Sequence, residues 1–291
     1  MTLYILACGT YCENVTDELP PLKTLVREST GKSVRRVGRF IQLALIGAGR
    51  TSAHIPKHSA VYLSSGRGDT AAMVEVFDEI YRQGQAPRPV SFINTVSNAA
   101  CYYVAHTLSL VGASSFIGSQ YFSFEMALKT AQVDLQAMRI DSALVGVVDT
   151  VVAPVPDHRR RQGLDTSTVL AEGSHWLHLV REPGDRPVLA SMELVRQFGS
   201  RAALSQWLST HVLPTDGVLA TGQHINTEEA AALLLESELR SFEYRKGIGY
   251  FESLAGRALG QFIASQENSL LYINGDPHGR YVVLVMNKPA S

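Results

Sequence analysis

The run Ser142–Val152, SALVGVVDTVV, restricts this chain more than any other segment. Its apolar residues stand at successive positions instead of alternating, which is the pattern of a strand buried on both faces of a sheet. Helices must then cover both faces, and the sequence supplies them between further strands. LYILAC reads as a first strand, followed by a polar loop. RFIQLALIGAGR reads as a helix, with Phe40, Leu43, Ala44 and Ile46 at helical spacing. The strand AVYLSSGRGD ends in a Gly-containing loop. TAAMVEVFDEIYRQG follows as a helix, with Met73, Val76, Phe77 and Ile80 on one face and Gly84 as its stop. NAACYYVAHTLSL is a helix from near Asn98. ASSFI is a short strand, and the next helix carries Phe124, Leu128, Ala131, Leu135 and Met138 in one stripe. SHWLHLVRE, GVLAT, SLLYING and RYVVLVM read as strands; TEEAAALLLESELR and SLAGRALGQFIASQ read as helices. Such alternation argues an α/β fold. VPDHRRRQGLD, with Pro154 and Pro156, marks a boundary by charge and by proline, dividing one compact unit into 1–160 and 161–291. The halves share no residue-level repeat, so any duplication is one of topology.

Composition narrows the function. The 291 residues hold 26 Lys+Arg against 27 Asp+Glu, a formal net charge of −1, so no overall basic footprint for nucleic acid exists. Cys8, Cys12 and Cys101 form no disulfide framework. The C-x3-C pair has no second Cys/His pair of ligand spacing beside it, and packed thiols are the expected reading. No metal or cofactor is expected. The N-terminal apolar run lacks a basic leader and no stretch is long enough to span a bilayer, so a cytoplasmic protein without a membrane span is expected. Gly66-x-Gly68 and GAGR at 47–50 lack nucleotide-loop spacing and read as a turn and a helix end. His175 and His178 fall on opposite faces of one strand, unfit to share a metal.

The stretch 112–132, GASSFIGSQYFSFEMALKTAQ, runs from a small-residue strand through a tight turn into an amphipathic helix. That arrangement presents a nucleophile at a helix N-terminus, yet the turn offers Gln120 and Tyr121 and no cysteine. Ser119 and Ser123 flank it, and Cys101 lies on the preceding helix. His106 and His224 are the candidate bases, with nothing local tying either to a serine.

The ordered segments resemble the β-ketoacyl synthases of the thiolase superfamily along nearly the whole chain. RRVGRFIQLAL is similar to their arginine-rich early helix, and SFINTVSNAACYYVAHTLSLVGAS to the approach to the nucleophile strand. LAEGSHWLHLV resembles their Gly-Glu-Gly strand entry, with Ala171 for the first glycine. RKGIGYFESLAGRALGQFIA resembles Lys-Ser-Asn-Ile-Gly-His-x-Glu-Ala-Ala-Gly, and LLYINGDPHGRYVVLVM their closing Gly-rich loop and last strand. The resemblance implies a thiolase-like fold: two topologically similar βαβ-rich halves in an αβαβα arrangement, the second shortened between Val180 and Thr221.

It also implies a degenerate site. The family's cysteine falls at Tyr121, its second histidine at Tyr250 and its lysine at Arg245. No histidine stands between Val218 and Ala220, where the first is due; His224 is the nearest. Condensation needs a thiolate, two neutral imidazoles for the enolate, and backbone N–H groups for the oxyanion. A phenol, with a reference pKa near 10, is a poor acyl carrier. Asp276 and Pro277 replace glycines in the closing loop, and proline has no N–H to give.

The whole chain is most similar to chain-length factors, pseudo-synthases that pair with an active ketosynthase, and among them to the partners of aryl polyene or type II polyene synthases. That resemblance implies a heterodimer serving acyl carrier protein. Ser114, Ser115, Phe116 and Ile117, up to Gly118, would form the strand that meets the partner. Gln120, Tyr102, Tyr103, Phe122 and Phe124 would wall its tunnel or fill this chain's own core. His158 with Arg159, Arg160 and Arg161 would face the carrier protein or lie in a solvated loop. The alternative is a divergent acyltransferase or decarboxylase using His224, Ser119 or Cys101.

Overall fold

In the computed structural model, the doubly apolar run is β4 (Ser142–Asp149), buried at every position. The structure describes residues 2–16, 19–51, 55–96, 98–193, 195–211, 213–214 and 216–289. The first part of the chain holds β1 (Leu3–Val15), α1 (Lys23–Thr30), α2 (Arg39–Arg50), β2 (Ala60–Ser65), α3 (Thr70–Tyr81), α4 (Pro89–Asn94), α5 (Ala99–Leu108), β3 (Ser114–Gly118), α6 (Ser123–Gln136), β4, α7 (Val155–Arg161) and β5 (Leu170–Val180). The second holds β6 (Ala190–Met192), β7 (Arg196–Phe198), α8 (Arg201–Thr210), β8 (Val218–Thr221), α9 (Thr227–Ser237), β9 (Arg240–Ser241), α10 (Leu254–Ala264), β10 (Ser269–Gly275) and β11 (Tyr281–Asn287).

Among the described residues eleven strands join one sheet in the order β3-β2-β4-β5-β1-β6-β11-β10-β8-β9, with β7 on β11. The order is a palindrome. In the first half β2 runs parallel to β3 and β4, while β5 is antiparallel to β4 and β1. In the second, β8 runs parallel to β9 and β10, while β11 is antiparallel to β10 and β6. The two halves meet where β1 pairs β6. The topology therefore turns over between Val180 and Ala190, downstream of the 160/161 division drawn from the sequence. The prolines and arginines there form the short helix α7, not a solvated loop, and β5 beyond it still belongs to the first half. The second half is the shorter one: β6, β8 and β9 have 3, 4 and 2 residues against 13, 6 and 5 for β1, β2 and β3.

Strand periodicity sorts the core into layers. Val218, Ala220, Leu270, Tyr272, Val282 and Leu284 face inward with Tyr62, Val145 and Leu177, onto α6 and α10. Their neighbours Leu219, Leu271, Ile273, Val283 and Val285 face outward, under Leu204, Leu208 and Leu233 of α8 and α9. Val61, Leu63, Leu144 and Trp176 pack against α2 and α5 on the other outer face. The result is αβαβα. Glycines 47 and 49 lie inside the last turns of α2, and a Cβ at Gly47 or at Gly146 would collide with the Trp176 indole. GAGR is thus a packing motif at a helix end.

Two helical stripes differ from their expected burial. On α3 only Val76 of the expected face is buried, while Met73, Phe77 and Ile80 are exposed. The buried line of α3 is instead Asp69, Ala72, Val76 and Glu79. On α6 the stripe is buried through Leu135, but Met138 lies past the helix end at φ 55° and is exposed.

Candidate functional site

Each central helix begins against the strand ends of the opposite half. Helix α6 is held through Asn274, the last side chain of β10 before Gly275. Asn274 Nδ2 donates to the Tyr121 carbonyl at 3.1 Å and to Glu125 Oε1 at 2.7 Å, and the Tyr272 hydroxyl donates to the same carboxyl at 3.2 Å. Glu125 is buried, which pushes its carboxyl up, against the hydrogen bonds from Asn274 and Tyr272. Gly222 makes room: a Cβ there would strike the Asn274 amide.

This brings Tyr121 beside two histidines. The His224 ring, in the loop after β8, lies 5.0 Å from the Tyr121 ring, edge to face, and His278 lies 6.4 Å away. Burial and the Arg245 guanidinium hold the His224 imidazole below its usual range, while Asp276 pulls the other way. His224 is therefore neutral near pH 7. Its Nε2 is 3.2 Å from Gln223 Nε2. Arg245 donates to the Thr221 carbonyl and, at 3.1 Å, to the Tyr244 hydroxyl, so it braces the end of β8. His278 carried no local signal in the sequence; only the β10–β11 turn delivers it.

The closing loop is occupied with itself. Asp276 Oδ1 accepts the His278 and Arg280 backbone N–H groups at 3.0 and 2.9 Å, and Oδ2 accepts Arg280 Nε at 2.6 Å. Burial opposes ionisation of Asp276, but these donors hold its carboxyl below the ordinary range. The two amides are thereby withdrawn from any oxyanion.

Tyr250 sits elsewhere. It bridges Leu170 and lines a cavity of about 70 Å³ with Arg67, Asp149, His158, Arg161 and Glu252, at the start of α10. Here Asp149 Oδ1 accepts from Ser65 Oγ at 2.8 Å and from the Gly66 N–H at 3.1 Å, and Oδ2 accepts from Ser253 Oγ. Arg67 Nε donates to Glu252 Oε1 at 2.7 Å. Burial, and the neighbouring Glu252 charge, push Asp149 well up; burial also raises Glu252, against Arg67. Burial and Glu252 push the Tyr250 phenol up to about 12.

None of the three thiols is poised to react. Burial pushes Cys8, Cys12 and Cys101 each up to about 12. Cys101 Sγ donates to the Ser115 carbonyl at 3.4 Å. Cys12 shares a cavity of about 230 Å³ with His175, whose imidazole burial and Arg257 push down to about 3. His178 points the other way, to Ser142 Oγ at 2.7 Å, at the N-terminal end of β4 and opposite to the Tyr121 end. That serine–histidine pair is buried with Ser59 and structural in position. Ser119 donates its N–H to the Ser65 carbonyl at 3.3 Å, and Ser123 is buried in the first turn of α6. His106 stacks on Tyr102, ring centroids 5.7 Å apart.

The remaining expected residues divide between core and surface. Phe122 and Phe124 are core, and Tyr103 packs on the outer helix layer. Along β3 Phe116 faces the α2–α5 side and Ile117 the α6 side, while Ser114, Ser115 and Gln120 are exposed. Tyr102 is 62% exposed, so it belongs neither to this chain's core nor to a tunnel enclosed by this chain alone. Arg159 Nε donates to the Thr168 carbonyl at 3.0 Å, Arg161 lines the Tyr250 cavity, and Arg160 pairs with Asp157 at 2.9 Å on the surface. Among the described residues no cluster of His, Cys, Asp and Glu is placed to hold a metal ion, and no helix is long and apolar enough to cross a membrane.

No family profile matches the sequence, and no curated protein matches it. Solved folds do. The ishigamide ketosynthase/chain length factor superposes with a TM-score of 0.74 at 15% identity, covering 100% of both chains. A chain from a type II polyketide synthase acyl-carrier protein in complex with its ketosynthase gives 0.70 at 10% identity over 99% of each. The 3-oxoacyl-(acyl carrier protein) synthase III of Pseudomonas aeruginosa PAO1 gives 0.60 at 17% identity, covering 100% of this chain and 99% of that one. Together with the palindromic strand order, these likenesses establish that the chain has the thiolase-like fold of the ketosynthases.

Proposed function

We propose that this chain is a non-catalytic ketosynthase-like subunit, a chain-length factor. In this reading it pairs with an active ketosynthase and shapes the acyl or polyene tunnel of a carrier-protein-dependent synthase. One observation carries the reading: the start of α6, where a condensing enzyme needs a thiolate, is filled by the Tyr121 ring against His224 and His278. The self-occupied Asp276 loop and the three protonated thiols support it.

A surface suited to a partner lies along one end of the sheet. β3 pairs only with β2, which leaves its outer edge open among the described residues. An unpaired edge is a template for another strand. On α3, α4 and α5, Met73, Phe77, Tyr81, Phe92, Ile93 and Tyr102 are exposed, apolar side chains of the kind that mark association. The acyl carrier protein would meet the complex, with Arg160 and Arg161 as this chain's basic contribution. The shape of the cavity, in an aryl polyene or related polyene system, would set product length.

The test is intact-mass spectrometry of the isolated chain after incubation with acyl and malonyl carrier-protein substrates, followed by co-expression with a ketosynthase. No adduct alone and a 1:1 complex on co-expression are expected; a stable adduct on this chain refutes the proposal. Tyr102→Ala and Phe116→Ala in the assembled complex are expected to change product length, whereas an unchanged product removes those rings from the tunnel. The second reading, a divergent acyltransferase or decarboxylase, draws on the neutral His224 beside Tyr121. Turnover by the isolated chain, abolished in His224→Ala, would establish it.

A further inference from the structure

Helices α3 and α4 roof a gap of about 620 Å³ whose floor is the segment leading into α2, including Arg36, Gly38 and Arg39. That volume is in the usual range for a small-molecule site. Asp69 and Asn94 line it and are 9% and 8% exposed. Asp69 Oδ1 accepts the Ala72 N–H at 3.1 Å and caps α3, leaving Oδ2 without a partner. Asn94 Nδ2 donates to the Arg36 carbonyl at 3.1 Å, leaving Oδ1 without one. Buried acceptors are nearly always satisfied, and a buried carboxylate oxygen without a donor is costly. Burial indeed pushes the Asp69 carboxyl up to about 6, against the Ala72 N–H. The guanidinium groups in the wall do not answer the need: Arg39 is paired with Glu172, and Arg88 reaches Glu79 at 3.5 Å. The backbone facing Asp69 is Gly38, where a Cβ would stand 3.2 Å from Oδ2. Gly38 packs against that oxygen without a side chain, and Oδ2 itself is closed to solvent. Arg36 stands exposed on the same wall.

We propose that this gap binds a small zwitterion, whose ammonium or guanidinium donates to Asp69 Oδ2 and Asn94 Oδ1 while its carboxylate meets Arg36. The proposal stands apart from the pairing function. A partner's basic side chain fits less well, because the apolar residues a partner would cover lie on the outward side of α3, away from Asp69 and Ala72.

Calorimetric titration of the full chain with L-arginine, agmatine and glutarate tests it. L-arginine is expected to bind, agmatine several-fold more weakly for want of a carboxylate, and glutarate not at all. Asp69→Asn keeps the acceptor that caps α3 but replaces the charged oxygen with a donor, and is expected to lower L-arginine affinity at least tenfold. Gly38→Ala removes no polar group and is expected to do the same by crowding Oδ2. Arg36→Gln is expected to bring L-arginine down to the level of agmatine. Circular dichroism checks the fold of each variant. Failure of L-arginine to bind with Kd below about 1 mM overturns the proposal. So does binding that Asp69→Asn and Gly38→Ala leave unchanged. Weakened association with a co-expressed ketosynthase in these variants, with no binding of the free zwitterions, also overturns it and assigns the gap to a partner's basic side chain.

Discussion

The starts of α6 and α10 occupy equivalent places in the two halves, yet they are built from opposite materials. Both helices plug into the strand ends of the other half. At α6 a single buried carboxyl, Glu125, is held by an amide and a phenol, and the space in front is taken by the rings of Tyr121, His224 and His278. At α10 two carboxyls, Asp149 and Glu252, share the site with Arg67, two serine hydroxyls and a backbone amide. Buried carboxyls in hydrogen-bonded company therefore gather at the helix start that carries Tyr250, and the start of α6 is packed with aromatic edges. The hydrogen-bonded carboxyls at α10 lock a helix onto a sheet. Ring packing at α6 fills the space in front of the helix.

Removing the lock should have the largest effect. Asp149→Ala strands Ser65 Oγ, Ser253 Oγ and the Gly66 N–H in the interior, and the expected loss is about 3–4 kcal/mol by urea denaturation. Asn274→Ala, the matching change at α6, is expected to cost less, about 2 kcal/mol, since Tyr272 still meets Glu125. A larger loss at Asn274 would reverse the comparison.

The acidity of the two sites gives a finer test. A carboxyl raised in the folded state binds its proton more tightly there than in the unfolded chain. The stability that Asp149 and Glu252 contribute is thus present below the ordinary carboxylate range and is lost as pH rises through their raised folded values. Glu252→Gln is expected to flatten that decline in a series of melting temperatures from pH 5 to 8. On the acid side His158 and His178, both near 4, and His175, near 3, stay neutral when folded. Their contribution is intact above about pH 6.5 and is lost as pH falls toward those values. A decline on the alkaline side that Glu252→Gln leaves unaltered would mean that the α10 carboxyls are not strained.

The smallest effect is expected from Tyr121→Cys. A thiol at α6 brings neither the amides held by Asp276 nor an imidazole at position 250. Condensation by the isolated variant should remain undetectable in a labelled-malonyl assay. Activity there would show that ring packing alone had silenced the site.

Much of this architecture can be read from periodicity. The extents of α2, α3, α9, α10 and β4 follow from their apolar spacing. Helix α1 escapes because Val26 is its one buried residue, and α8 because its buried positions, Leu204 and Leu208, make a single i, i+4 pair. Helix α3 is more instructive. Its period is right, but the line of Met73, Phe77 and Ile80 faces out, because an apolar stripe records that a surface will be covered, not that this chain does the covering. The site was legible only position by position. Tyr121 and His224 are visible by their places in the order of segments. Their meeting with His278, and the departure of Tyr250 to a cavity of its own, arise from contacts between strands distant in sequence.

The two ends of the sheet are unequal. At one end stands β3, five residues long with its outer side open; at the other stands β9, two exposed residues whose Arg240 is engaged by Glu267 at 2.6 Å. Continued growth by strand addition needs an adhesive margin at both ends of each unit, and here the far margin is too brief and too charged to recruit a neighbour. Strand addition to this sheet is therefore favoured at the β3 end alone, and the same asymmetry guards against fibrous polymerisation.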